Sequence, residues 1–451
     1  MPHGRNLSAH RDLWSIQCSL ASAARQARFR ARMIVRRRRC NVVVSIMHHA
    51  VLKNQPRKRD DMLKTLPLRT LALLLCLLAL IVAIVSGSLL ANAQAGQNCA
   101  PRNLRTSNWK TDFCSSIVDF NEILVGNPSK DGIPSVTDPR METVEEAKTW
   151  LVDRSPVIAL EVDGEARAYP LAILMWHEIA NDQIGDLPVA VTFCPLCNSA
   201  IAFDRRVDEA VLDFGVSGLL RNSDLVMYDR QTETWWQQLT GRGLAGEHAG
   251  VLLDIVPSQL ISFGAFAQRH ADGLVMSRDT GFSRQYGMNP YRGYDSRPGR
   301  PFLFDGEIDP RLPLPVEHVL AATINDIAVA YPFSILRDDG VVNDVLGQTP
   351  VVVFYQAGVA SALGDAVIDN ARDIGTAGLY RAELDGMTLE FALDESGGFV
   401  DAQTGSIWNA FGEATSGELA GAQLEWINAF PHFWFAWAAF YPDTLVYGLD
   451  G

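Results

Sequence analysis

The sequence predicts an α+β, β-rich fold in which two tandem pseudo-symmetric repeats pack together behind an N-terminal signal or anchor segment. Three observations predict it. The body of the chain resembles itself at a nearly constant offset. Short runs rich in Val, Phe and Thr are separated by Asp-Gly and Asn-Asp turns. The one long apolar run is confined to the front of the chain.

The 451 residues are 48% hydrophobic and 20% charged. That balance excludes a disordered, collagenous or multi-span membrane protein, and the length suggests two to three domains. The net charge of −13 is unevenly spread. Residues 1–61 hold 14 Lys and Arg against three Asp and Glu, whereas 96–451 holds 23 basic against 49 acidic residues. A body that acidic excludes nucleic acid as a partner, because phosphate contacts need clustered cations.

Residues 1–61 form a basic extension, with Arg36 to Arg39 consecutive. They read as a start-site artefact, translation beginning at Met62, because a signal buried so far into the chain is hard to recognise. An arm for nucleic acid or anionic lipid is the alternative. Residues 62–95 have the three parts of a secretory signal peptide. Lys64 and Arg69 supply the basic part, the uncharged run 71–85 the apolar part, and Ala93-Gln94-Ala95 the cleavage site. If the run extends to Ala91 it becomes an uncleaved anchor, about 20 residues long. Either reading places the body in the periplasm or elsewhere outside the cytoplasm, touching a membrane only through this segment.

The segment 96–150 carries Cys99 and Cys114, read as a structural disulfide of the kind an oxidising compartment permits. Unit one follows at 151–286, a Pro/Gly-rich crossover at 287–315 and unit two at 316–451. Val157 to Gly164, with Ala168-Tyr169-Pro170, reappears at an offset of 162 as Val319 to Asp326, with Ala330-Tyr331-Pro332. Asp229, Gln231, Thr232 and Trp236 match Asp401, Gln403, Thr404 and Trp408 at an offset of 172. Each unit starts with a hairpin, after which Tyr-Pro opens a short helix with proline in its first turn. Each ends near a helix with an aromatic face, Phe263/Phe266 or Trp434/Trp437. The apolar stretch 433–440 is too short to span a bilayer and reads as a core helix.

A duplication separates scaffold from chemistry. Residues kept in both units serve the fold, and polar residues found in one are candidates for function. Cys194 and Cys197 form a C-x-x-C pair after an apolar strand-like run, and unit two has Gln356 and Val359 there. His177 and Glu178 face Asp339 and Gly340 at the same offset. Unit one also has about five extra residues near Arg221 to Asp224. Arg278, Asp279 and Arg284 have no counterpart.

Two close thiols and a histidine admit two chemistries. In the first, Cys194 and Cys197 cycle between dithiol and disulfide, as in an oxidoreductase, and His177 makes thiolate available. Glu178 joins these three as a catalytic candidate, being unique to the same unit. Arg221, Asp224, Arg278, Asp279 and Trp236 are the candidates for binding a small molecule or a redox partner protein. In the second, Cys194, Cys197 and His177 hold copper or zinc with a fourth position open. A third reading is a non-enzymatic envelope binding module, with Trp235, Trp236, Tyr291 and Tyr294 contacting a ligand. The bland alternative is a plain disulfide or two inert thiols.

Four strings carry a resemblance: VTFCPLCNSAIAFDR (191–205), LRNSDLVMYDRQTETWWQQLTG (220–241), SRDTGFSRQYGMNPYRGYDS (277–296) and WFAWAAFYPDTLVY (434–447). Through them the chain, over nearly all of 115–451, resembles the uncharacterised domain of unknown function 3179 family. The resemblance implies an exported or membrane-anchored protein of bacteria or archaea. Some members carry selenocysteine at the C-x-x-C, which implies a reactive or metal-ligating role for Cys194 or Cys197 and tilts the choice toward the redox reading. This chain has cysteine at both positions, so selenium chemistry is not implied for it.

Overall fold

In the computed structural model the described residues are 99–126, 129–395 and 397–449. The basic extension and the signal or anchor segment lie outside them. Among the described residues no helix is long and apolar enough to cross a membrane.

Turn chemistry sets the start of each half. Strand Pro156–Val162 pairs with Glu165–Pro170 around Asp163-Gly164, whose φ angles are 51° and 84°. Strand His318–Ile324 pairs with Ile327–Pro332 around Asn325-Asp326, at 50° and 65°. Two consecutive left-handed residues make a type I′ turn, whose twist suits the strands it joins, and Asp, Asn and Gly tolerate it best. Pro170 and Pro332 then occupy the N-cap positions of helices Leu171–His177 and Phe333–Asp339. This is one residue earlier than the sequence suggests, because each proline still closes the preceding strand. At seven residues neither helix is stable by itself. The first is held by burial of its whole apolar run, Leu171 to Met175.

Both hairpins are flanked alike. Gln259–Ser262 lies antiparallel to Pro156–Val162, and Leu274–Met276 parallel to Glu165–Pro170. In the second half Ala429–Phe433 and Leu445–Val446 take those places. The hydrogen bonds that lock the halves also correspond. Tyr169 Oη donates to Asp182 at 2.6 Å, and Tyr331 Oη to Asp344 at 2.9 Å. The Asn181 side chain pairs with the backbone of Phe214, and that of Asn343 with Phe391.

The largest apolar cluster draws on both halves. Ile158, Phe193 and Phe203 share it with Val319, Phe433 and the C-terminal helix Trp434–Phe440. That helix buries Trp434, Phe435 and Trp437, each worth roughly 1.5–3 kcal/mol. Its aromatic face packs into protein.

Cys99 and Cys114 are joined by a disulfide. It closes the segment that lays Trp109 and Phe113 against Trp235, where Phe120 joins them from just beyond the loop. Replacing both cysteines by Ser is expected to lower stability by about 3 kcal/mol. The check is a lower urea midpoint; an unchanged midpoint would show that packing alone holds this segment.

Candidate functional site

Strand Leu187–Cys194 ends on the first thiol, and Ser199–Asp204 returns antiparallel with Ser199 opposite Cys194. The turn between them is closed by Cys197 N–H donating to Cys194 O at 3.2 Å. It leaves through Asn198 at φ 48°, a conformation that Asn accepts more readily than most side chains. Both thiols are buried and unbridged.

A second hairpin, Phe214–Arg221 with Asp224–Asp229, supplies the carboxylate. Its two-residue turn, Asn222-Ser223, has φ angles of 52° and 66°, again type I′. This turn lies in the extra residues of unit one, and it sets Asp224 against the thiols. One ligand atom each from Cys194, Cys197 and Asp224 lie within 4.8 Å of one another. The Ser223 carbonyl oxygen is 4.0 Å from Cys194 Sγ.

The Asp224 carboxylate is half satisfied. Oδ2 accepts from Gln237 Nε2 at 2.6 Å and from Leu239 N–H at 3.0 Å. Oδ1 is buried without a hydrogen-bond partner among the described residues. The thiols beside the carboxylate are weak donors, and their S–H groups act to lower the Asp224 pKa. An orphaned buried acceptor of this kind costs on the order of 1–3 kcal/mol.

Acidic groups crowd here. Burial pushes Asp224 up to about 6, although its two N–H donors favour the charged form. Burial, then Asp224, pushes Glu178 up to about 8. Burial also raises Cys194; a hydrogen bond with Cys197 works the other way, while Asp224 and Glu178 add to the rise. Burial holds Cys197 well above the usual thiol range. The Arg221 guanidinium is engaged by Glu122 at 2.7 Å and Gln237 Oε1 at 3.4 Å.

Glu178 reaches this cluster through an unfavourable backbone. It caps helix Leu171–His177 in the left-handed region, φ 59°, its N–H bonding Leu174 O. Gly340 ends the second helix the same way, at φ 72°. A Cβ on Gly340 would also meet Leu393 Cδ1 at 2.5 Å. Glycine is the ordinary solution for this cap; a β-carbon there costs roughly 1–2 kcal/mol. Among the described residues no hydrogen bond or ion pair reaches the Glu178 carboxylate, so no polar contact offsets that strain. Glu178→Gly is therefore expected to raise thermal stability, by about 1 kcal/mol. A destabilised variant would show that the side chain supports the fold.

Several sequence-based candidates lie elsewhere. His177 is next to Glu178, but the left-handed turn separates them. Its Nδ1 meets Pro134 O and its Nε2 meets Tyr286 Oη, both at 2.7 Å. It is not in the thiol cluster, so neither thiolate tuning nor ligation by His177 fits this geometry; the imidazole fastens the 277–286 segment to the body. Trp236 is fully buried, its Nε1 donating to Asp229 at 3.0 Å, as Trp408 donates to Asp401 at 2.9 Å. A contact made in both halves marks scaffold rather than ligand binding, which corrects the expectation for Trp236. Trp235 is likewise buried under the N-terminal aromatics. Arg278 stacks on Trp150 at 4.7 Å, and Asp279 pairs with Arg140; both are surface contacts, not parts of the cluster. Arg221 reaches Asp224 through Gln237 and pairs with Glu122.

Two contributors escaped the sequence reading. Gln237 orients Asp224. It stands where unit two has Asn409, a difference the repeat offset contains. His318 comes from the second half and bonds Asn198, next to Cys197, at 3.1 Å. A search for polar residues peculiar to unit one could not find it. Tyr291 and Tyr294, which the sequence already offered as ligand-contacting aromatics, lie close enough to feel Cys194.

A cavity of about 540 Å³ lies away from the thiols, between 159–161 and 423–426. Its charges are already paired: Arg269 with Glu413 at 3.1 Å, His270 with Glu161 at 3.9 Å and Glu425 with Arg381 at 2.9 Å.

A family model described as "Protein of unknown function (DUF3179)" matches residues 130–444. No curated protein and no solved structure matches the chain.

Proposed function

The chain belongs to the DUF3179 family, and for this member we propose a metal-binding protein of the cell envelope that holds zinc at Cys194, Cys197 and Asp224. One observation carries the reading: a buried carboxylate, one of whose oxygens has no hydrogen-bond partner, lies beside two buried thiols, with one ligand atom of each residue within 4.8 Å of the others. Tetrahedral zinc, with bonds of about 2.0–2.3 Å, needs its ligand atoms about 3.8 Å apart or closer. Small side-chain rotations would bring these three atoms to that spacing. The donor set favours zinc over copper, because a carboxylate is a poor partner for soft copper(I) while borderline zinc takes both sulfur and oxygen. Three protein ligands leave one position for a water or a small molecule. The Cys99–Cys114 disulfide and the signal-like segment 62–95 support an address outside the reducing cytoplasm.

The test is metal analysis of the exported chain, purified without added metal or chelator. About one zinc per chain is expected. A metal-free chain that takes up neither zinc nor copper would overturn the proposal. Contact between the two sulfurs favours one second reading, reversible dithiol–disulfide exchange. A metal-free chain whose thiols titrate as a reversible pair would establish it. Burial and the absence of His177 from the cluster weigh against it, since reactive thiolates need exposure and a nearby positive charge.

A further inference from the structure

A chamber of about 270 Å³ adjoins the thiol site. Leu196, from within the C-x-x-C turn, and Leu225, next to Asp224, form the wall on the metal side. Ile133, Val216, Leu219, Leu220, Tyr291 and Phe302 form much of the rest. Beside Gly126 and Gly218 the lining side chains are aliphatic or aromatic, with the phenol of Tyr291, and the one carboxyl is that of Glu178. At ~30 Å³ per water the chamber has room for about nine waters, which is a small ligand's volume.

Its walls come from segments that differ between the halves. The C-x-x-C turn, the Asn222-Ser223 hairpin and the crossover each contribute to them. Glu178 is 8% exposed, and among the described residues nothing bonds its carboxylate. It keeps a strained cap conformation that the other half gives to Gly340. An unpaired carboxyl in an apolar chamber, held there against backbone preference, is what recognition of a single polar head requires.

We propose that this chamber binds a small neutral molecule with an apolar body and one hydrogen-bonding head, the head paired with Glu178 and presented to the metal-side wall. The inference rests on the metal reading for what the head is presented to. The chamber and its carboxyl stand on their own geometry.

The probe is benzamide, an apolar ring with an amide head that can both donate to and accept from a carboxyl. Binding is followed by ligand-observed NMR, with zinc content measured on the same samples. Saturable binding to the wild-type chain is expected. Leu219→Trp and Ile133→Trp each fill the chamber and should abolish binding with zinc content unchanged. Two separate filling variants guard against one that fails to fold. Glu178→Ala should weaken binding about tenfold, as loss of one buried hydrogen bond does, and Glu178→Gln should retain most of it. Toluene, lacking the head, should bind more weakly than benzamide. No saturable binding to folded, zinc-loaded protein would overturn the proposal, as would binding that survives both filling variants. Benzamide binding by a chain that holds no zinc would sink the metal reading and leave the chamber standing. Zinc without benzamide would do the reverse.

Discussion

Asp224→Asn is expected to strip the site of zinc while leaving the metal-free protein as stable as before. The carboxylate is buried, and its Oδ1 has no hydrogen-bond partner among the described residues. Without a cation the charge is a burden, so an amide of the same shape costs little or is slightly stabilising. With a cation the same oxygen is a ligand, and its loss should weaken zinc binding at least about 100-fold, roughly 2.7 kcal/mol. Cys197→Ser should lose the metal likewise. Thermal melts with and without zinc provide the check. At zinc about 1,000 times the wild-type dissociation constant the wild type should gain about 4 kcal/mol and the variant about 1.4 kcal/mol or less. Equal zinc stabilisation of both chains would rule Asp224 out as a ligand.

The pH dependence of the metal-free chain follows from the same crowding. Glu178 and Asp224 titrate at about 8 and about 6 in the folded chain, above their ordinary 4.5 and 3.8. Between those limits the native state holds protons that the unfolded chain has released. The part of the metal-free stability that these two carboxyls contribute should therefore be greatest near pH 4 and fall as the pH rises to about 8, read as the difference between wild type and Glu178→Gln, because buried His318 and His432 pull the other way below pH 6.5. Zinc, by favouring the charged forms, should flatten that fall.

Trp236→Ala is expected to cost about 3–5 kcal/mol, the usual result of emptying a large buried aromatic site. The indole is fully buried, and its N–H serves Asp229, which also accepts from the Thr232 backbone and hydroxyl. Trp408→Ala should behave alike, because Asp401, Thr404 and Trp408 repeat that motif. Trp236→Phe should keep most of the packing and lose about 1 kcal/mol with the hydrogen bond. Chemical denaturation separates the three variants. Zinc content under folding conditions should not change in any of them. A Trp236→Ala chain of normal stability would show that this residue is not scaffold.

The repeat makes these predictions possible. The hairpins, their left-handed turns and the Tyr-Pro helix starts were legible because local chemistry dictates them. Asp-Gly and Asn-Asp favour type I′ turns wherever they occur between strands. The thiol pair and Glu178 were legible because the other half has Gln356, Val359 and Gly340 in their places. Spacing along the chain misled at His177, where one left-handed residue turns neighbours toward different surroundings. It misled at Trp236 as well, where an aromatic in a conspicuous string proved to be core.

The hairpins that open each half, their tight turns and the presence of a thiol pair in only one half were determined by the sequence itself, since each depends on residues within a few positions of one another. The partners of those thiols were decided by tertiary structure alone. Asp224 arrives on a separate hairpin, Gln237 on the strand beyond it, Tyr291 from the crossover and His318 from the second half. Packing in three dimensions sets those distances, and no period in the chain records them.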